Sequence, residues 1–180
     1  MATVGQEIVN PRTGQRMTFR QTAVSSGRAL VQIDTTNPPG PAEPEHVHPE
    51  QESSAEVLRG TLHFSIRGTT HVVPAGGKIV IPANTPHYFW NQGDGAADAI
   101  QEFRPALRIE DFFVTYFGLA RDGLLNDQGL PSPLRTAALT DAFWREIRVT
   151  SPPEAVQRLF ATLLGPVGRW RGYGTEANEG

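Results

Sequence analysis

A change of pattern at Pro105 constrains the fold more than any other feature of the chain. Before it lie short runs rich in β-type residues, "QRMTFRQTAV", "ALVQIDTT", "AEVLRGTLHFSIRG", "THVVPAGGKIVIP", "HYFWNQG" and "DAIQEFRPA", set among glycine, proline and asparagine. Short runs with turn residues at roughly 8–12-residue intervals are the signature of an all-β sandwich or barrel. After it the apolar period lengthens to that of a helix. Ile109, Phe112, Phe113, Tyr116, Phe117 and Ala120 share one helical face, with Glu110 and Asp111 in the first turn and Gly123 as the stop. A second helix is expected from "SPL", with Ser132 as N-cap and Pro133 at the first helical position, running towards Arg148. A third is expected from a capping box of Ser151 and Glu154 with Pro152 at N1, and "GP" at 165–166 should end it. Its stripe of Val156, Leu159, Phe160, Leu163, Leu164 and Val167 reads as a face packed on the barrel or on a dimer mate. Residues 1–106 are therefore expected to form a β-barrel and residues 107–180 a three-helix extension, with the final "GYGTEANEG" frayed.

The length of 180 residues suits one domain of ordinary size. A net charge of −3 supplies no basic face for nucleic acid, so the expected partner is a small molecule or another protein. Without cysteine there is neither a disulfide framework nor a zinc-thiolate cluster, and any metal must be held by nitrogen and oxygen. No stretch approaches the ~18 apolar residues of a membrane span, and "MATVGQEIVN" has no signal-peptide pattern. These features read as a soluble, cytoplasmic protein.

Five histidines remain to be placed. His46 and His48 are two apart, so on a strand both imidazoles reach the same face and can share one ion. Alone, such a pair is more often a solvated strand edge than a site. His63 and His71 fit no ligand spacing and read as ordinary strand or turn residues. Further along, "GGKIVIPANTPHYFWN" sets Gly76, five residues, Pro82, one residue, Asn84, two residues, His87, three residues, Asn91. Here the chain resembles the cupin superfamily, whose second motif has this spacing with glycine where Asn84 stands. Asparagine is among the residues that best tolerate the left-handed backbone, so the exchange is mild. The first cupin motif is matched by Gly40, His46, His48 and Gly60.

The resemblance covers residues 40–91 and implies a mainly β fold, a double-stranded β-helix of the jelly-roll type. It also implies dimers through N-terminal strands, here within residues 6–35, and a metal cage of His46, His48, His87 and a glutamate. That glutamate should fall at residue 53, where this chain has serine; Glu52 lies one step early. A bulge would turn Glu52 inward, whereas plain alternation sends Ser53 in and leaves Glu52 outside. Gln51 shares the parity of Ser53 and offers an amide oxygen. If His87 faces inward, so do Phe89 and Asn91, while Tyr88 and Trp90 face away. The strand "DAIQEFRPA" turns in either Ile100, Glu102 and Arg104 or Gln101 and Phe103.

Imidazole ligands are compatible with one divalent ion of iron, manganese, nickel, zinc or copper, and the open positions left on it suit catalysis. The resemblance thus implies a metal-dependent enzyme of dioxygenase or isomerase type acting on a small, anionic organic molecule. A non-catalytic binding or sensing module is the alternative, because this fold does not fix function.

Overall fold

A computed structural model describes residues 1–42 and 44–173; the end of the tail expected to fray, 174–180, lies outside the described residues. Strands β1 (Glu7–Val9), β2 (Arg16–Gln21), β3 (Val31–Asn37), β5 (Glu52–Arg59), β8 (Lys78–Ile81) and β10 (Ala97–Arg104) form one sheet in the order β1-β2-β3-β10-β5-β8. Strands β4 (His46–Val47), β6 (Thr61–Ile66), β7 (Thr69–Pro74), β9 (His87–Trp90) and β11 (Arg148–Val149) form the other, in the order β11-β4-β9-β6-β7. Neighbouring strands are antiparallel throughout, as expected for two facing sheets of a jelly roll.

Alternation sets what faces inward. On β3, Val31, Ile33, Thr35 and Asn37 are buried, and on β10 so are Ala97, Ala99, Gln101 and Phe103, with Ile33 opposite Gln101 and Val31 opposite Phe103. The inward apolar side chains fall into two clusters. One joins Met17, Phe19, Val31, Ile33 and Phe103 to the first helix, and the other joins Ala55, Val57, Leu62, Phe64, Val73, Ile81 and Ala99. Gln101 sits between them on β10, flanked by Phe103 of the first cluster and Ala99 of the second. The turn from β5 to β6 needs glycine: Gly60 has φ +76°, and a Cβ there would stand 3.1 Å from the Cα of Ala97.

Beyond Arg104 come α1 (Ile109–Arg121), α2 (Pro133–Ala142) and α3 (Glu154–Trp170). Helix α1 buries Ile109, Phe113 and Phe117 at helical spacing against the first cluster, with Ala120 also buried, and Gly123 follows its end with φ +68°. Glu110, a first-turn acid, is buried: its carboxylate accepts the Ala23 N–H at 2.7 Å, tying the helix to the loop before β3. Helix α2 begins as its sequence foretells, with Ser132 as N-cap and Pro133 at the first helical position, but it ends at Ala142. Arg148, expected near its end, belongs instead to β11, which pairs with β4. Phe143, fully buried and edge-on to Phe112 at 5.6 Å, anchors the chain where it leaves the helix.

Helix α3 departs furthest from expectation. It starts at Glu154 without a side-chain cap, because Pro152 precedes Pro153 and is thereby kept out of the helical region. It also continues through Pro166 to Trp170. Its buried face is Gln157, Ala161, Gly165 and Gly168, a seam of mostly small residues laid on α2, where a Cβ on Gly168 would stand 2.8 Å from that of Ala138. Arg169 pairs with Asp141 across the same seam. This close approach holds the helix across a proline that removes one backbone bond. The apolar stripe therefore faces out: Leu163 is 63% and Trp170 84% exposed, with Val156, Leu159, Phe160 and Val167 exposed beside them. Among the described residues no helix is long and apolar enough to cross a membrane.

Candidate metal centre

His46 on β4 lies directly opposite His87 on β9. His48 follows β4, where its carbonyl accepts the N–H of Asn84 at 2.8 Å. Asn84 has φ +56°, the left-handed conformation for which asparagine can replace glycine, so the second motif's turn directly holds the first motif's second histidine. The three rings form a compact triangle with centroid separations of 4.5 Å for His46–His87, 5.2 Å for His46–His48 and 5.3 Å for His48–His87. One nitrogen from each lies within 4.8 Å of the other two, and all three residues are buried.

Each ring is fixed by a backbone carbonyl. His46 Nδ1 meets the Pro44 carbonyl at 2.9 Å, His48 Nδ1 the Glu146 carbonyl at 2.7 Å, and His87 Nδ1 the Thr85 carbonyl at 2.8 Å. A carbonyl only accepts, so each Nδ1 must carry the hydrogen and each Nε2 keeps its lone pair. Carbonyl-bound imidazoles with the other nitrogen free are the arrangement found around protein-bound metals, because the outer bond sets both tautomer and ring orientation. The rings also resist protonation. Burial and then the neighbouring His87 lower His46 to about 4. Burial, then His46 and His87, hold His48 well below its ordinary value. Burial lowers His87 as well, partly opposed by the Thr85 carbonyl and by the charge of Glu45. Three neutral donors are thus presented near neutral pH, a set that fits a divalent ion of borderline softness.

Glu52 does not join them. It is exposed at the start of β5, opposite Arg104, while Ser53 is buried opposite Phe103. The irregularity in the β5–β10 ladder falls at Asp98/Ala99, at the far end, so no bulge turns Glu52 inward. Gln51 is fully buried; its amide nitrogen donates to the carbonyls of Pro105 at 2.8 Å and Ala106 at 2.9 Å, fastening the exit from β10, and its amide oxygen has no hydrogen-bond partner among the described residues. On β10 the inward pair is Gln101 and Phe103; Arg104 is exposed and meets Glu102 at 3.2 Å. Phe89 packs on Phe64 at 5.8 Å and Asn91 is buried, as alternation requires, while Trp90 stacks on His63 at 5.3 Å away from the triangle. His71 on β7 is exposed.

No motif or spacing indicates that the C-terminal extension helps to build this site. Glu146 lies beyond α2, and its carbonyl orients His48, while its buried carboxylate accepts the Arg108 N–H at 3.2 Å. Burial raises the pKa of that carboxyl. Strand β11 pairs with β4, placing Val149 opposite His46, and Thr150 donates its hydroxyl to Glu45 at 2.7 Å. A two-residue strand has no pattern to read, and a backbone carbonyl leaves no mark on residue type. From the histidines a cavity of about 660 Å³ runs past Ser53, Gln101 and Phe103 to Phe113 and Phe117 of α1 and Leu139 of α2. Phe103 links the two ends, edge-on to His48 at 5.1 Å and tilted against Phe113 at 5.4 Å.

Residues 26–100 match the family model of the Cupin domain. No curated protein matches the chain. Among solved structures it is similar to a predicted oxalate decarboxylase from Thermotoga maritima, with 18% identity and a TM-score of 0.49 over 56% of this chain and 90% of that one. It is also similar to an RmlC-like cupin from Shewanella frigidimarina, with 18% identity and a TM-score of 0.49 over 57% and 86% of the two chains. A DMSP lyase from Ruegeria pomeroyi shares 25% identity at a TM-score of 0.40 over 44% of this chain and 40% of that one. The motif histidines, the left-handed turn at Asn84, the two antiparallel sheets and the family match together identify residues 26–100 as a cupin domain, which a helical C-terminal extension follows.

Proposed function

We propose that His46, His48 and His87 hold one divalent metal ion of iron, manganese, nickel, zinc or copper, and that the protein is a metal-dependent enzyme of dioxygenase or isomerase type acting on a small organic molecule. The observation that carries this reading is the commitment of all three Nδ1 atoms to carbonyls, which leaves Nε2 as the free donor on each ring, in three rings that each bring a nitrogen within 4.8 Å of the other two. When bound, an ion there supplies Lewis acidity and open positions for an oxygen ligand. The chain's own residues do the rest. The carbonyls of Pro44, Thr85 and Glu146 fix the rings, burial keeps them unprotonated, and Phe103 and Phe113 shield the approach from water. Because three neutral imidazoles leave the ion's charge uncompensated, an anionic ligand is favoured.

One observation favours the alternative of a non-catalytic binding module: among the described residues, the inward faces of β4, β5, β9 and β10 carry no carboxylate to act as a general base. Homodimerisation and a cytoplasmic location belong to the same proposal. The test is metal content of the purified protein, followed by oxygen uptake and product analysis with diketones, flavonols and thiols. One ion per chain with turnover of any of these supports the enzyme. One ion with tight ligand binding and no turnover supports the module, and failure to retain any ion removes both metal readings.

A further inference from the structure

The inward wall facing the histidines contains two polar side chains that nothing in the fold uses. Ser53 and Gln101 are each 7% exposed and line the cavity. Among the described residues neither side chain makes a hydrogen bond, whereas the amide nitrogens of other buried side chains nearby are committed: Gln15 to Asn37, Asn91 to the carbonyls of Asn37 and Gly95, and Gln51 to Pro105 and Ala106, with the Gln51 oxygen left without a partner. Their polar atoms are not sealed off from the cavity, so each is open to hydrogen-bond a ligand that enters it. Register brings them to the right place. Ser53 is opposite Phe103, whose ring touches His48, and Gln101 is two residues from Phe103 on the same face.

The rest of the cavity limits what such a ligand is. Among the described residues, the inward faces of β4, β5, β9 and β10 hold no charged side chain, the histidines being neutral. Arg148 lines the cavity but stands opposite Val47, on the face of β4 away from His46, where it meets Glu154 at 2.7 Å and covers the Trp144 ring. Arg12, at the rim, donates to the Asp127 carbonyl at 2.7 Å. Towards the helices the wall includes Phe103, Phe113, Phe117 and Leu139, while Gln15, Asn37, Asn91, Tyr116 and Thr140 are among the polar residues that also line the cavity. A volume of about 660 Å³ is that of an ordinary small-molecule site.

We infer that Ser53 and Gln101 hydrogen-bond the head of a ligand that has one oxygen-rich chelating end and an uncharged apolar body, and that the body lies along Phe103 and Phe113. Charged or hydroxylated groups on that body would lie unpaired along the Phe103 and Phe113 rings. The inference rests on the metal reading above, since the ion is what draws an anionic head inward.

The test uses the zinc-loaded full chain and calorimetric titration with two probes that share a chelating head, benzohydroxamate and acetohydroxamate, and with oxalate as a dianion. Benzohydroxamate should bind at least about tenfold more tightly than acetohydroxamate and more tightly than oxalate. Ser53→Ala and Gln101→Met should each weaken both hydroxamates by about tenfold, the loss expected for a hydrogen bond to a charged group, while zinc affinity and melting temperature stay unchanged. Stoichiometric zinc with equal binding of the two hydroxamates, or with both variants binding like the parent chain, overturns this inference and leaves the metal centre standing. A parent chain that retains no zinc overturns the metal reading and this inference with it.

Discussion

Strand β4 and helix α3 each place side chains against their chemical type. The one, with His48 just after it and His87 opposite, buries imidazoles, and the other leaves Leu159, Leu163 and Trp170 exposed on the single chain. At β4 the burial of polar groups is tolerated because every Nδ1 has a carbonyl partner and the remaining nitrogens meet one another across a small space. At α3 the exposure follows from the other side of the helix. Where α3 crosses α2 closely the seam needs residues small enough to let the backbones approach, so Ala161, Gly165 and Gly168 go inward and the bulky apolar residues are turned out. Hydropathy periodicity tells where apolar residues lie around a helix, but contact geometry decides which face is covered.

The contrast can be broken first at the seam. Ala161→Glu places a carboxylate in the α2–α3 contact and should cost ~3–5 kcal/mol, read as a lowered urea midpoint. At the site, His48→Ala should weaken zinc binding by at least about a hundredfold in chelator competition, since loss of even an outer partner of a ligand costs ~10–100-fold. Gly168→Ala sharpens the comparison because two effects oppose. Alanine improves helix propensity by ~1 kcal/mol, but the new Cβ would meet Ala138 at 2.8 Å and the Leu134 carbonyl at 2.9 Å. Overpacking should win, with a net loss of ~1–2 kcal/mol in the same unfolding measurement.

Acid reads the histidine wall in another way. Because His46 is lowered to about 4 in the folded chain, the unfolded chain binds more protons below its ordinary value of 6.5. The metal-free protein should therefore keep full stability above 6.5 and lose it progressively as pH falls towards 4, seen as a falling melting temperature. A His46→Ala variant should show a shallower fall. The smallest effect is expected for Leu163→Glu, within ~0.5 kcal/mol of the parent chain because that side chain is 63% exposed.

Much of the barrel was legible because its signals are local. The switch at Pro105, the inward alternation of Phe89 and Asn91, and the glycine-like role of Asn84 all follow from residue type and spacing. Three histidines were legible for the same reason. The place of Glu52 was not, because it depends on whether a bulge lies at one end of β5 or the other, and the backbone puts the irregularity at Asp98/Ala99. The roles of Glu146 and β11 were hidden because a main-chain carbonyl and a two-residue strand carry no side-chain signature. For α3, the sequence displays an apolar stripe more prominently than a seam of small residues, and the seam is what packs.

The central claim is that three imidazoles, each protonated at Nδ1, direct unprotonated Nε2 atoms to one ion. Long-range proton–nitrogen correlation spectra of the nitrogen-15-labelled protein test it directly. The account predicts the Nδ1–H tautomer for His46, His48 and His87 in the metal-free chain, and a joint shift of their three Nε2 signals on one equivalent of zinc, with His63 and His71 unmoved. An Nε2–H tautomer at any of the three, or zinc-induced shifts confined to His63 and His71, would contradict it.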